Sequence, residues 1–247
     1  MSDLRVKLVN LGLPKTGTTT LHHALVQAGW RAADHKVRRI HARDPGLGGT
    51  AIARQLYNGY FENGDPFAHL DGLYDALTEI SVLNPTASLW PQCDYALIKA
   101  MRLARPGMLF VATWRPAAEI SDSMRRWGNL GTDRLPAGAI PGLPEGYGDT
   151  DAQRIRWIEG HYAMLRDLFG EDPRYLELPV GADDARDLLA AHTGLDLPWW
   201  GKLNENTGET PQERPKTKSK TGDRPKDGPH RRRKSTKNKA EKARGAA

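Results

Sequence analysis

The apolar positions along the chain change period repeatedly, from continuous runs to helical spacing and back. Val6, Leu8, Val9 and Leu11 form a run that suits a buried strand and stops at Gly12. Beyond Gly17, Leu21, Ala24, Leu25 and Ala28 recur at helical spacing, and Gly29 offers a stop. Residues 29–33 read as a second short strand running out at Asp34-His35-Lys36, and 51–57 as a helix. The stretch 70–82 is ambiguous, although Leu73, Leu77 and Ile80 suit one helical face. A helix is expected over 94–104, closed by Arg105-Pro106-Gly107. Residues 108–113 are apolar throughout, as in a central strand, and lead through Trp114-Arg115-Pro116 into a helix ending at Trp127. Then come a Pro- and Gly-punctuated surface loop over 131–150, a helix over 151–169, a strand over 174–178 and a helix over 183–193. Strands separated by helices predict an α/β fold of three layers, a central parallel sheet flanked by helices.

The candidate chemistry begins where the first strand meets the first helix. A strand, a tight loop and a helix in that order aim backbone N–H groups and the positive helix end at one point, which suits an anion. Lys15 adds a cation, and Thr16, Thr18, Thr19 and Thr20 add hydroxyls. The nucleoside-triphosphate P-loop places its Lys directly after the second Gly. Gly12 and Gly17 have that separation here, but Thr18 stands where the Lys belongs.

Pro14-Lys15-Thr16-Gly17-Thr18-Thr19 instead resembles the first loop of the sulfotransferases, P-K-[ST]-G-T-T, and in particular the bacterial-type members of that P-loop-like family. The resemblance implies that Lys15, Thr16, Gly17, Thr18 and Thr19 hold the 5′-phosphosulfate of the donor PAPS (3′-phosphoadenosine 5′-phosphosulfate). A second likeness lies at Arg115 and Ser123, which keep the eight-residue interval of the family residues that grip the 3′-phosphate. A guanidinium fork and a helix hydroxyl suit such a dianion. The chain departs from the family pattern R-[DN]-P in that Pro116 follows Arg115 directly.

The implied activity is metal-independent transfer of a sulfuryl group from PAPS to a hydroxyl or amine acceptor, a small molecule or a glycan. Lys15 and the loop N–H groups would stabilise the departing phosphate oxygen. His35 is the first choice for the general base, because it follows the second strand, where some members of the family carry a catalytic Glu, and imidazole titrates near neutrality. Asp75 and Glu79 are its rivals on the acceptor side. His22 and His23 are expected only to pack or face solvent. The strand over 108–113 ends without a carboxylate for Mg²⁺, which weighs against a P-loop kinase or ATPase.

Charge divides the chain in two. Residues 206–247 carry 14 Lys and Arg against 5 Asp and Glu, a net of +9, so the chain total of +6 leaves −3 for the first 205 residues. With almost no large apolar side chains, 206–247 are expected to be a disordered basic tail beyond a sulfotransferase-like domain over 1–205. The tail could contact nucleic acid or another anionic surface, which gives a third reading, a binding module. Without aromatics it is poorly suited to stack on bases. Cys93 is the one cysteine, so no intrachain disulfide and no Cys-based zinc site are expected. Nothing reads as a transmembrane segment or a leader, and a cytoplasmic protein is expected.

Overall fold

The computed structural model describes residues 5–203. The expected domain boundary and the basic tail lie outside the described residues. In chain order the elements are β1 (Leu8–Asn10), α1 (Thr18–Gln27), β2 (Ala32–Ala33), α2 (Ile52–Asn58), β3 (Ala76–Leu77), β4 (Val82–Asn84), β5 (Ala87–Leu89), α3 (Tyr95–Ala104), β6 (Leu109–Trp114), α4 (Ala117–Arg126), α5 (Leu135–Ala137), α6 (Asp151–Phe169), β7 (Tyr175–Pro179) and α7 (Ala185–Thr193). Five strands form one parallel sheet in the order β2-β3-β1-β6-β7, and β4 and β5 pair separately as an antiparallel hairpin.

Both faces of the sheet are covered, which is why its strands read as unbroken apolar runs. Val9, Phe110 and Ala112 pack on one side with α3, α4 and α6, through Leu97, Ile98, Ile120, Met124, Ile158 and Leu165. Leu8 and Val111 face the other way and meet Leu21 and Leu25 of α1 and Leu189 of α7. The result is a three-layer α/β fold.

The helical leaning of 70–82 is corrected. The stretch contains β3, with Ala76 opposite Leu8 and Leu77 opposite Val9. A strand buried on both faces shows no alternation, so Leu73, Leu77 and Ile80 imitate a helix by chance of spacing. The hairpin β4–β5 was not anticipated at all. Its residues are half-buried to exposed and carry no strong period.

After β1 the chain crosses to β2, returns to β3 and then passes to β6 on the other flank of β1. The direction of winding therefore reverses at β1. In open parallel sheets, ligands bind outside the carboxyl ends of the strands at such a reversal. Among the described residues no helix is long and apolar enough to cross a membrane.

Candidate functional site

Asn10, the last residue of β1, organises the carboxyl edge. Its Oδ1 accepts from the N–H of Gly12 at 3.0 Å and of Thr113 at 3.0 Å, while Nδ2 donates to the Thr78 carbonyl at 2.9 Å. One buried amide thus ties the start of the loop to the ends of β3 and β6. Gly12 passes so close to β6 that a Cβ would lie 2.3 Å from Thr113 Oγ1 and 2.6 Å from its carbonyl oxygen, so glycine is required by contact. At Gly17, φ is 103°, in the left-handed region that glycine tolerates, and this residue caps α1. Lys15 also lies in that region, at φ 73°. For a side-chain-bearing residue this costs on the order of 1 kcal/mol, and such strain is concentrated at functional loops.

The threonines of the loop divide by role. Thr16 is fully buried; its hydroxyl donates to the Leu13 carbonyl at 2.6 Å and lies 2.7 Å from Thr113 Oγ1. Its side chain therefore braces the loop from beneath, which corrects the expectation of a hydroxyl offered to an anion. Thr18 is half-buried and Thr19 exposed, both in the first turn of α1.

Lys15 is half-buried, and burial together with the charges of Arg115 and Arg126 pushes its ammonium below the usual lysine range. Among the described residues no carboxylate pairs with it. Its Nζ lies instead 4.6 Å from the centre of the Trp127 ring, which has the Arg134 guanidinium 5.5 Å from its own centre. Arg115 follows β6 and pairs with Glu119, one turn into α4, at 2.7 Å. Such an exposed i,i+4 pair contributes only about 0.3–0.5 kcal/mol and does not lock the guanidinium away from a phosphate. Ser123 is buried in the same helix, 5% exposed, and Arg126 lies three residues further on. Lys15 thus sits within electrostatic reach of Arg115 and of Arg126, and the Arg126 guanidinium pairs with Asp122 at 2.6 Å.

Glu79 stands two residues beyond β3, on the flank of β1 opposite Arg115. Its Oε1 accepts from the Ser81 N–H at 3.1 Å and the Ser81 hydroxyl at 2.6 Å. Burial pushes the carboxyl above the usual range, the hydrogen bonds from Ser81 and Thr18 oppose that, and the Asp34 charge adds to it. A carboxyl raised toward neutrality at the carboxyl edge has the properties of a general base.

The other two base candidates are placed elsewhere. His35 is exposed beyond β2, the outer strand, with its Nδ1 3.9 Å from Asp34 Oδ1. Two strand spacings, roughly 10 Å, separate that strand from β1. Asp75 precedes β3 and so belongs to the amino edge, where it takes Lys7 Nζ at 2.9 Å and the Arg31 N–H at 3.0 Å. It is about 13 Å along an extended chain from Glu79, at the wrong end of the sheet for an acceptor, and its role is an ion pair beneath the sheet.

Two further residues, His22 and Arg154, fasten the surroundings of the loop. His22 Nδ1 lies 3.3 Å from Thr78 Oγ1, whose hydroxyl donates to the Ala33 carbonyl, and His22 Nε2 lies 3.2 Å from the Arg38 guanidinium. That pattern makes Nδ1 the donor and Nε2 the acceptor, so burial holds a neutral ring between α1 and the ends of β2 and β3. The available signal was its position four residues after Thr18, on the same helix face. Arg154 of α6 is 1% exposed. It donates to Ser121 Oγ at 3.0 Å, to the carbonyls of Gly131, Gly148 and Asp149 at 3.0, 2.8 and 2.9 Å, and to Asp151 Oδ1 at 2.6 Å. The long loop expected over 131–150 is therefore fastened at both ends by one buried guanidinium.

A scan against protein-family models and a search of curated proteins each gave no match to this chain.

Proposed function

We propose that the protein transfers a sulfuryl group from PAPS to an alcohol acceptor. The observation that supports this reading is that Lys15, in the loop after β1, and Arg115, just after β6, lie close enough for their charges to oppose. In this reading Lys15 and the N–H groups of Gly17, Thr18 and Thr19 face the 5′-phosphosulfate, and Arg115 and Ser123 face the 3′-phosphate.

The acceptor oxygen attacks sulfur in line. The new O–S bond forms as the bond from sulfur to the 5′-phosphate oxygen breaks, and that oxygen departs with the electron pair. Lys15 meets the charge where it develops. Glu79 takes the acceptor proton, the part first given to His35, because it follows β3, the neighbour of β1, at the carboxyl edge, and Thr18 acts on its carboxyl. The single cysteine, Cys93, is buried with its thiol held neutral, which fits a reducing cytoplasmic setting.

One observation favours a second reading. A carboxylate just beyond β3, beside the strand that leads into the loop, is also where a Mg²⁺-nucleotide enzyme could hold its metal. β6, by contrast, ends without a carboxylate. Against it still stands the loop itself, with Thr18 where the phosphate-binding Lys would follow Gly17. The discriminating experiment supplies ³⁵S-labelled PAPS and a panel of alcohols in EDTA. A labelled ester product is expected; product that forms only with Mg²⁺ and ATP would turn the assignment to the kinase class.

A further inference from the structure

Where β1 parts from β6, the ladder between them ends and the main chain needs other partners. The Leu11 N–H still reaches the Val111 carbonyl, at 2.7 Å. Beyond that point side chains take over. Two of them come from adjacent residues in the middle of α6, His161 and Tyr162, which are 5% and 1% exposed. His161 Nε2 donates to the Leu11 carbonyl at 2.8 Å, and the Tyr162 hydroxyl donates to the Thr113 carbonyl at 2.7 Å. A carbonyl only accepts, so the ring proton of His161 sits on Nε2, and Nδ1 faces the Cys93 thiol at 3.7 Å.

The groups held in this way lead to Lys15. His161 holds the Leu11 carbonyl, Asn10 the Gly12 N–H, and the Thr16 hydroxyl the Leu13 carbonyl. The last of these bonds closes a turn across Pro14 and Lys15, and the same hydroxyl lies 2.7 Å from Thr113 Oγ1. Tyr162 therefore reaches the turn through Thr113 and then Thr16. A left-handed backbone at a lysine is unfavourable by itself and persists only where its surroundings over-determine it.

Packing alone asks for less than these two side chains bring. A phenylalanine would fill the space of the Tyr162 ring without a hydroxyl that must find a partner. The His161 imidazole carries two nitrogens into the core, where burial pushes its titration down to about 4 and keeps the ring neutral. Both residues commit their polar atoms to carbonyls that border the anion loop.

We propose that His161 and Tyr162 are positioning residues: through Leu11, and through Thr113 and Thr16, they hold the main chain at Lys15 in its left-handed turn and so aim the loop at its anion. The effect on the donor rests on the sulfuryl-transfer reading; the hold on the loop does not. The test compares the native full chain with Tyr162→Phe, His161→Leu and His161→Gln. Phe169→Leu, buried against Phe110 and Tyr175 at the last residue of α6, serves as the control. Amide exchange at Leu11 and Gly12 is read by NMR. Affinity for PAP (adenosine 3′,5′-bisphosphate) and the melting temperature are measured in parallel.

Exchange at both amides should quicken by roughly fivefold or more in Tyr162→Phe and His161→Leu. Affinity for PAP should fall by about tenfold in both. His161→Gln keeps an N–H donor and should recover a part of each loss. Phe169→Leu should lower the melting temperature and leave exchange and affinity as they are in the native chain. Unchanged exchange in both Tyr162→Phe and His161→Leu, or equal quickening in Phe169→Leu, would overturn the proposal. Quickened exchange with native affinity for PAP in both would overturn the positioning role and reduce the two residues to packing. Exchange as expected in a chain that does not bind PAP would instead remove the donor reading and leave the hold on the loop standing.

Discussion

The ammonium of Lys15 rests 4.6 Å from the centre of the Trp127 indole, at the meeting of the anion loop with the end of α4. The ring holds the lysine in a place where two arginines oppose its charge. A cation over an indole is worth about 0.5–2 kcal/mol. Trp127→Ala is therefore expected to weaken PAP binding by about 3- to 30-fold, and Trp127→Phe by less. Calorimetric titration of both variants checks this, and equal affinity in Trp127→Ala would make the contact incidental.

Lys15 and Arg115 should separate kinetically. In the sulfuryl-transfer reading the phosphate facing Arg115 carries the same charge before and during transfer, so Arg115→Ala should raise the donor dissociation constant and leave turnover at saturation largely intact. The oxygen facing Lys15 gains charge in the transition state. Lys15→Ala should lower turnover on the order of a hundredfold or more. Single-turnover kinetics with labelled PAPS, alongside PAP titration, reads both. Full turnover in Lys15→Ala would reduce the lysine to an anchor.

Glu79 offers a contrast between stability and activity. Its folded carboxyl titrates above the usual range, so the folded state holds that proton more tightly than the unfolded chain does. The associated stability is full below the ordinary carboxylate range and is lost as pH rises from there through the raised value. Glu79→Gln removes the loss. Its melting temperature should equal or exceed that of the native chain at pH 8, and the difference should fade toward pH 4. Turnover should nevertheless fall by about 100-fold or more, whereas His35→Ala should change it little. Melting curves from pH 4 to pH 8 and turnover at pH 8 provide the check.

Much of this was legible in the sequence, for definite reasons. Gly12, Lys15 and Gly17 are close together in the chain, so their loop is written as a local pattern. The helix over 151–169 has apolar residues at helical spacing, among them Ile158, Tyr162 and Leu165, which are buried in the structure. The remainder depended on neighbours in space. Asp75 and Glu79 flank one short strand, and without knowing that a strand lay between them nothing assigned them to opposite edges. Trp127 and Lys15 are joined by the turn at the end of α4. Thr16 looked like its neighbours Thr18 and Thr19 until Thr113 and Leu13 were found beneath it.

Arg154 governs the segment over α6. Removing one member of a buried charged network leaves its partners unsatisfied, at about 3–5 kcal/mol. Arg154→Leu should lose that much stability in denaturant unfolding. Arg154→Lys should recover only a part, because a lysine cannot reproduce the fork that reaches Ser121, Asp151 and three carbonyls. Proteolysis of Arg154→Leu should begin within 131–149. A native-like unfolding midpoint would show that the guanidinium is dispensable.

The most direct measurement is thermal unfolding of the native full chain with PAP in EDTA, compared with AMP and with ATP plus Mg²⁺. PAP presents both phosphates of the proposed reading, the 5′-phosphate assigned to Lys15 and the 3′-phosphate assigned to Arg115. It should raise the melting temperature without metal and by more than either comparator, and Arg115→Ala should abolish its advantage over AMP. A larger shift with Mg²⁺ and ATP than with PAP would contradict the assignment of the site to a sulfuryl donor.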